Sequence, residues 1–265
     1  MRLKSVKGPV RSIAVSALCA LLLVACGASP ESMIQSAKDY IAKNDRGAAM
    51  IQLKNALQKE PNQVEARFLL GKLSLEQNDY ASAEKELSRA LSLGFPADEI
   101  VPLLGRALLN TDQGARILTE FPSITLQTPA ARASAQAFIG LAQAQQGKRQ
   151  LAAEAFEQAL KEVPGFPLAR ISLIRMNSAG RELTAILEDA ESVLKTDPQL
   201  PEGLAMKAEL LAGMNRRDEA IKTYDALIKA RPLDPSAYQA VFMLLMRDNR
   251  KEEAQARISD MKKSL

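Results

Sequence analysis

The chain has 265 residues, 47% of them apolar, with no histidine and two cysteines, Cys19 and Cys26, both near its start. The commonest general bases, nucleophiles and metal ligands are therefore missing from the rest of the chain, which argues against an enzyme, a cofactor site or a metal centre. The net charge of +4 arises in residues 1–25, which hold four of the 35 basic residues and none of the 31 acidic ones. The remainder is electrically balanced, so nothing in its charge favours a nucleic-acid partner.

Residues 1–25 have the pattern of a secretory signal peptide. They begin with basic residues, an uncharged apolar stretch runs from Ser12 to Ala25, and Leu-Val-Ala-Cys follows at 23–26. This ending resembles the lipobox of bacterial lipoproteins, in which cleavage leaves the cysteine, here Cys26, as the first residue and as the site of lipidation. A transmembrane anchor is the alternative, but about 14 apolar residues fall short of the roughly 20 that a bilayer requires.

We therefore expect an exported protein, attached to the cell envelope by lipid on Cys26 and facing the periplasm. Gly27 follows the cysteine in place of aspartate, which in Gram-negative lipoproteins is compatible with transfer to the outer membrane. Residues 26–31 would form a lipidated tether of about 20 Å when extended. The first repeat would thus stay close to the membrane.

Small or apolar residues recur about every 34 positions through the rest of the chain. One such series consists of Ala37, Gly71, Gly105, Gly140, Ile174, Ala208 and Phe242. Turn residues keep the same spacing at Asn44, Asn78, Asp112, Gly147, Asn215 and Asn249. Prolines close the units at Pro61, Pro96, Pro129, Pro164, Pro198 and Pro232. A 34-residue unit of helix, turn, helix and proline resembles the tetratricopeptide repeat, which predicts an all-α, right-handed superhelical solenoid of about seven helix pairs.

The second unit shows how each pair is expected to pack. Its helices are predicted at 64–77 and 80–93, joined by a turn at Asn78. Small residues such as Gly71 are required where the two helices approach closely. Large side chains sixteen residues further on are expected to fill the gap to the next pair; this series is Leu53, Leu87, Phe121, Phe156 and Tyr224.

Pro122 interrupts this pattern, because proline lacks an amide donor and clashes with the preceding turn of a helix. We therefore expect repeats one to three at 32–121, an irregular connection at 122–130, and repeats four to seven at 131–265. A hinge between the two blocks at Pro122 is a further expectation.

Two local patterns could suggest chemistry. Paired carboxylates at 188–189 and 252–253 lie on predicted exposed helix faces, where solvated charge explains them. Gly140 and Gly147 are spaced too far apart for a phosphate-binding loop and follow no strand. We identify no catalytic residue.

Basic residues repeat at one position of the first helices, on the face that lines the concave wall of this kind of repeat. They are Lys38, Lys72, Arg106 and Arg175, with apolar neighbours at Phe68, Leu75, Leu109 and Ile171. Leu141 and Glu209 interrupt the series. A basic series beside apolar patches suits an acidic peptide or an anionic glycan, while ordinary solvated charge is the alternative.

Residues 48–109, AAMIQLKNALQKEPNQVEARFLLGKLSLEQNDYASAEKELSRALSLGFPADEIVPLLGRALL, go beyond generic repeat spacing. This stretch resembles the tetratricopeptide-repeat lipoproteins of the PEP-CTERM/exosortase system, and the resemblance is most specific over 26–121. It implies a lipid-anchored scaffold, linked to protein sorting and exopolysaccharide production, that binds other envelope proteins and has no catalytic residues. An assembly lipoprotein for outer-membrane proteins or a pilus secretin is the alternative function.

Overall fold

The computed structural model describes residues 28–232 and 234–264. In these ranges the chain is helical, with a single 3₁₀ turn at Phe121–Ser123 and no strand. The helices are α1 Pro30–Ala42, α2 Arg46–Lys59, α3 Val64–Glu76, α4 Tyr80–Ser92, α5 Ala97–Asn110, α6 Gly114–Glu120, α7 Pro129–Gln145, α8 Arg149–Glu162, α9 Pro167–Met176, α10 Leu183–Thr196, α11 Pro201–Gly213, α12 Arg217–Ala230, α13 Pro235–Arg247 and α14 Lys251–Ser264. The predicted signal peptide and the lipidation site at Cys26 lie outside the described residues.

The helices form the seven predicted pairs, so the all-α repeat fold is confirmed. The chain divides into two compact units, Met1–Ala66 and Arg67–Leu265, with the boundary inside α3. In the described part of the first unit, α1 packs against α2. The second unit holds most of α3 and the helices that follow it. None of the helices in the described ranges is both long and apolar enough to span a membrane.

The predicted turn series is confirmed by the backbone. Asn44, Asn78, Asp112, Asn215 and Asn249 all have φ between 57° and 61°, and Gly147 has φ 73°. These residues end the first helix of a pair in the left-handed conformation that Gly, Asn and Asp tolerate best. In each case the next residue donates its amide to a carbonyl five positions earlier, as Asp79 does to Ser74 at 2.9 Å. The periodic polar residue is therefore a helix stop.

The glycines of the small-residue series lie where a larger residue would collide with a neighbour. A Cβ at Gly71 would lie 2.7 Å from Cγ of Leu87, and one at Gly140 would lie 2.6 Å from Cε1 of Phe156. Both contacts join the two helices of one pair, as predicted for the small residues. Leu87 and Phe156, however, meet these glycines inside their own pair, whereas the sequence predicts that they fill the gap to the next pair. A Cβ at Gly105 would instead lie 2.5 Å from the ring of Phe138, which belongs to the next pair.

Pro122 shortens the second helix of the third pair. α6 has seven residues and ends at Glu120, the 3₁₀ turn follows, and α7 begins at Pro129, slightly before the expected residue 131. The end of the connection next to α7 is held in place, because Asp98 of α5 accepts the amides of Gln127 and Thr128 at 2.9 and 2.8 Å.

One hydrophobic core runs across this connection without a break. It joins Leu104 and Leu108 of α5 to Phe121, and these to Ala135 and Phe138 of α7. The hinge expected at Pro122 is therefore not supported, because the packing continues through the 3₁₀ turn.

Candidate partner-binding groove

Two neighbouring cavities lie along α5, α7, α9 and α11, the first helices of four successive pairs, and together we call them the inner groove. The first cavity has a volume of about 420 Å³. The second has a volume of about 370 Å³. Leu141, Pro201, Glu202 and Arg231 line both. Because the cavities share these walls, they adjoin one another.

The first cavity combines apolar walls with a positively charged centre. Phe138 and Leu109 form much of the apolar surface, and the half-buried Arg106 lies among them. No ion pair of the Arg106 guanidinium is found among the residues that the structure describes. Burial lowers the pKa of Arg106, and the positive charge of Arg231 lowers it further. The negative charge of Glu202 partly offsets both effects on the pKa of Arg106. Arginine stays protonated at neutral pH, so Arg106 contributes a positive charge to the cavity.

Arg231 follows α12 and forms an ion pair with Glu202 in the first turn of α11. One of its guanidinium nitrogens, Nε, is buried and has no hydrogen-bond partner in the described part of the chain. The charged side chains lining the first cavity are Arg106, Arg231 and Glu202, so this cavity has an excess of one positive charge.

The second cavity has the opposite balance. Arg175 of α9 lies 3.7 Å from Glu209 of α11, and Asp234 also lines the wall. With Arg231 and Glu202 included, three carboxylates face two guanidinium groups. The inner groove is thus positive at the α5 end and negative at the α11 end.

The predicted site residues fall into three groups. Arg106 and Leu109 line the first cavity, and Ile171 and Arg175 line the second. The structure thus brings the predicted residues of α5 and α9 into one groove.

The predicted residues of α1 and α3 lie elsewhere. Lys38, in the first unit, forms an ion pair with Glu65 at 2.6 Å. Phe68 stacks on Phe95 with ring centroids 4.1 Å apart, and Lys72 is exposed; neither lines a cavity of the inner groove. Leu75 is only 4% exposed and belongs to the core, because it points from α3 toward α4 and α5.

Sequence reasoning missed Arg231, Glu202 and Phe138. The basic series follows a single position within the first helices. Arg231 lies after a second helix, and Glu202 lies at the start of a first helix, so neither falls at that position. One sequence signal for Arg231 exists: it directly precedes a closing proline, a position at which other units have Val163 and Asp197, so its positive charge is unusual there.

The groove offers binding rather than reactive groups. Its polar groups are guanidinium, carboxylate, amide and hydroxyl side chains. Across the described ranges, no cluster of three or more His, Cys, Asp or Glu side chains forms a metal site. Such a surface can hold a partly apolar, charged chain segment.

Comparison with protein families agrees with the helix pairs. Tetratricopeptide-repeat models match residues 40–99, 130–201 and 205–257, which together make up more than half of the chain. The chain belongs to the tetratricopeptide-repeat family, whose members are scaffolds for protein–protein interaction. A search of curated proteins found no match.

Solved structures show the same fold. A tetratricopeptide repeat protein from Parabacteroides merdae aligns with 90% of this chain and 94% of its own, at 17% identity and a TM-score of 0.55. PilW, described as a widely conserved type IV pilus biogenesis factor, aligns with 82% of this chain and 98% of its own, at 20% identity and a TM-score of 0.52. At these identities the likeness establishes the fold alone.

Proposed function

We propose that this protein is a lipid-anchored scaffold of the cell envelope that holds protein partners in the inner groove. The observation that carries the proposal is the pair of adjoining cavities, the first of which is lined by two guanidinium groups and one carboxylate. A ligand that supplies an anion would neutralise the excess positive charge. Leu109, Ile171 and Arg175 extend the proposed binding surface along the groove.

The finer proposal is a role in PEP-CTERM/exosortase sorting and exopolysaccharide production. It is supported by the resemblance of residues 48–109 to the repeat lipoproteins of that system and by the lipobox-like ending at Cys26. In this proposal the bound partners are other envelope proteins, and an anionic glycan is the competing ligand class.

Pull-down from detergent extracts tests the groove. The double variant Arg106→Glu with Arg175→Glu should lose the partners that the wild-type chain recovers. The double variant Lys161→Glu with Lys222→Glu makes the same change in net charge on exposed residues of α8 and α12, so it serves as the matched control. Equal recovery by all three proteins, each with a normal helical circular dichroism spectrum, would contradict the proposal.

Lipid attachment has its own test. After growth with an alkyne-tagged fatty acid, the wild-type chain should carry the label and should be recovered in the membrane fraction. The Cys26→Ser variant should remain unlabelled. A labelled Cys26→Ser variant would refute lipidation at this cysteine.

Assembly of outer-membrane proteins or of a pilus secretin remains the second candidate. It is supported by the fold that this chain shares with PilW. The identity of the recovered partners separates the two: components of sorting or polysaccharide export support the first function, and pilus or outer-membrane assembly components support the second.

A further inference from the structure

We infer that the end of the repeat array, formed by α13 and α14, is a second interaction surface that binds an acidic amphipathic helix of a partner protein. We call this surface the end face and define it by Phe242 of α13 and by Ile258 and Met261 of α14. The end face is separate from the inner groove of the proposed function, because none of these three residues lines either cavity of that groove.

The repeat register shows that earlier pairs cover the equivalent surface with a helix. Met261 stands at the position of Leu227 and Val193, which are 5% and 0% exposed. Ile258 stands at the position of Tyr224, which is 9% exposed and shares one core with residues of α13. Ile258 and Met261 are only half-buried, and α14 is the last helix in the described ranges. The end face therefore has the shape of a helix-packing surface and lacks the helix that would cover it in this part of the chain.

An apolar cavity of about 210 Å³ opens at the end face. Phe242 stands where earlier pairs have Gly140 or Ala208, and Ile258 lies sixteen residues after Phe242. Both helices thus bring a large side chain to the place where other pairs approach closely, and the space beside these side chains stays open. The other residues that line the cavity are Tyr238, Gln239, Arg257 and Met261.

Arg257 contributes its aliphatic stem to this cavity. Its guanidinium group is held by Asp225 of α12 at 3.0 Å, so its charge is already neutralised within the protein. An apolar side chain is therefore the group that fits the cavity itself.

The apolar surface continues from the cavity along α13. Met246 lies one turn after Phe242 and is 40% exposed, and the neighbouring Met243 is 58% exposed. Methionine side chains adapt to the shape of a partner, and a cluster of exposed apolar side chains beside a cavity is typical of an interaction surface.

The charges beside the cavity favour an acidic partner. Lys251 and Lys262 lie seven residues before and four residues after Ile258, so all three share one face of α14. Both lysines are exposed. The acidic residues of the first turn, Glu252 and Glu253, lie on other faces by the same spacing. A helix that packs on Ile258 would therefore meet two positive charges on this face of α14.

The same charges disfavour a second copy of this chain as the occupant. If two α14 helices paired antiparallel through the Ile258 face, Lys251 of one copy would approach Lys262 of the other. Like charges at such a contact repel, whereas aspartate or glutamate on a foreign helix would form ion pairs. The end face thus fits a partner helix with an apolar stripe and acidic flanks, packed as α13 packs against α12.

Fluorescence anisotropy with the purified full-length chain tests the inference, each titration being corrected for probe in the same detergent without protein. The probes are three labelled peptides of about sixteen residues, which allow about four helical turns. The acidic probe has leucine at i, i+4 and i+7 and glutamate on both flanks. The basic probe has lysine in place of glutamate, and the scrambled probe has the composition of the acidic one with its leucines spread around the helix.

Variants of the end face have opposite expected effects on the two charged probes. Ile258→Ser and Met261→Ser should each weaken binding of the acidic probe about tenfold, because apolar contact is lost. The double variant Lys251→Glu with Lys262→Glu should weaken binding of the acidic probe about three- to tenfold and should tighten binding of the basic probe. Misfolding cannot imitate this gain of affinity.

Two controls separate the end face from other sites. The double variant Lys161→Glu with Lys222→Glu makes the same change in net charge on exposed residues of α8 and α12 and should leave binding within about twofold. Arg106→Glu, which alters the inner groove, should also leave it within about twofold.

Three results would overturn the inference: equal affinity for the acidic and scrambled probes, unchanged binding of both charged probes by the variant with Lys251→Glu and Lys262→Glu, or loss of binding by Arg106→Glu. The last would place the probe in the inner groove. Self-association of the wild-type chain in light scattering, abolished by Met261→Ser, would assign the end face to a second copy and would also overturn the inference.

Discussion

The third and fourth helix pairs share one sequence register and pack differently. Gly105 and Gly140 occupy equivalent positions, and each is followed sixteen residues later by a phenylalanine, Phe121 or Phe156. In the fourth pair Phe156, from the second helix of the same pair, covers Gly140. In the third pair the ring over Gly105 is that of Phe138, from the next pair.

The difference shows that the repeat determines which position must be a small residue, here Gly105 or Gly140. The length of the second helix determines which phenylalanine packs against that residue. Pro122 ends α6 early, so Phe121 lies in the 3₁₀ turn and Phe138 takes the place over Gly105. Phe138 also lines the first cavity of the inner groove. The irregularity at Pro122 and the candidate binding site thus share a side chain.

The largest expected effect is on the free energy of unfolding, at the fourth helix pair. Phe156→Ala should lower the free energy of unfolding by about 3–5 kcal/mol, because it empties the space over Gly140. Urea denaturation followed by circular dichroism measures it. Leu151→Ala, at an exposed position of the same helix, is the control and should cost about 0.5 kcal/mol or less. A similar cost for both would show that Phe156 does not hold the pair together.

Gly105→Ala should cost about 1–3 kcal/mol, since its Cβ would overlap the Phe138 ring. Combining it with Phe138→Leu should recover part of that loss in a double-mutant cycle, whereas combining it with Phe121→Leu should not. Rescue by Phe121→Leu alone would mean that the third pair packs like the fourth.

The smallest effect concerns the connection after Pro122 and depends on pH. The backbone amide of Gln127, together with the side-chain hydroxyl and the backbone amide of Thr128, donates hydrogen bonds to Asp98 and lowers the pKa of its carboxyl. The ionised form is therefore favoured by folding, so its stabilisation is present above the unfolded pKa of about 4 and is lost as pH falls through the lower folded value.

Asp98→Asn should accordingly lower the thermal midpoint at pH 6, and its difference from wild type should shrink as the pH falls toward 3. The neighbouring exposed Glu99→Gln serves as the control variant and should show a smaller change. A difference that stays constant over this pH range would indicate that Asp98 does not act through its charge.

The sequence predicted much of the fold because its signals are local and repeated. The left-handed turn residues, exemplified by Asn78, follow from backbone sterics, and Gly140 follows from close helix contact. The bounds of α3 and α4 agree with prediction to within a residue.

The candidate site was less predictable because it depends on contacts between repeats. Arg106 was identified from its register, but Arg231 comes from a different element three pairs later in the chain. The position of Arg231 and Glu202 beside Arg106 is a property of how pairs three to six stack. A periodic pattern within single units does not carry that information.

Site-specific photo-crosslinking in cells tests the central claim most directly. With p-benzoylphenylalanine in place of Asn110, at the rim of the first cavity, irradiation should yield a discrete covalent product with an envelope protein. The same reagent at the exposed Leu151 should yield none, and adding Arg106→Glu should remove the Asn110 product. Crosslinking from Leu151 as strong as from Asn110, or an Asn110 product that survives Arg106→Glu, would contradict a partner held in the inner groove.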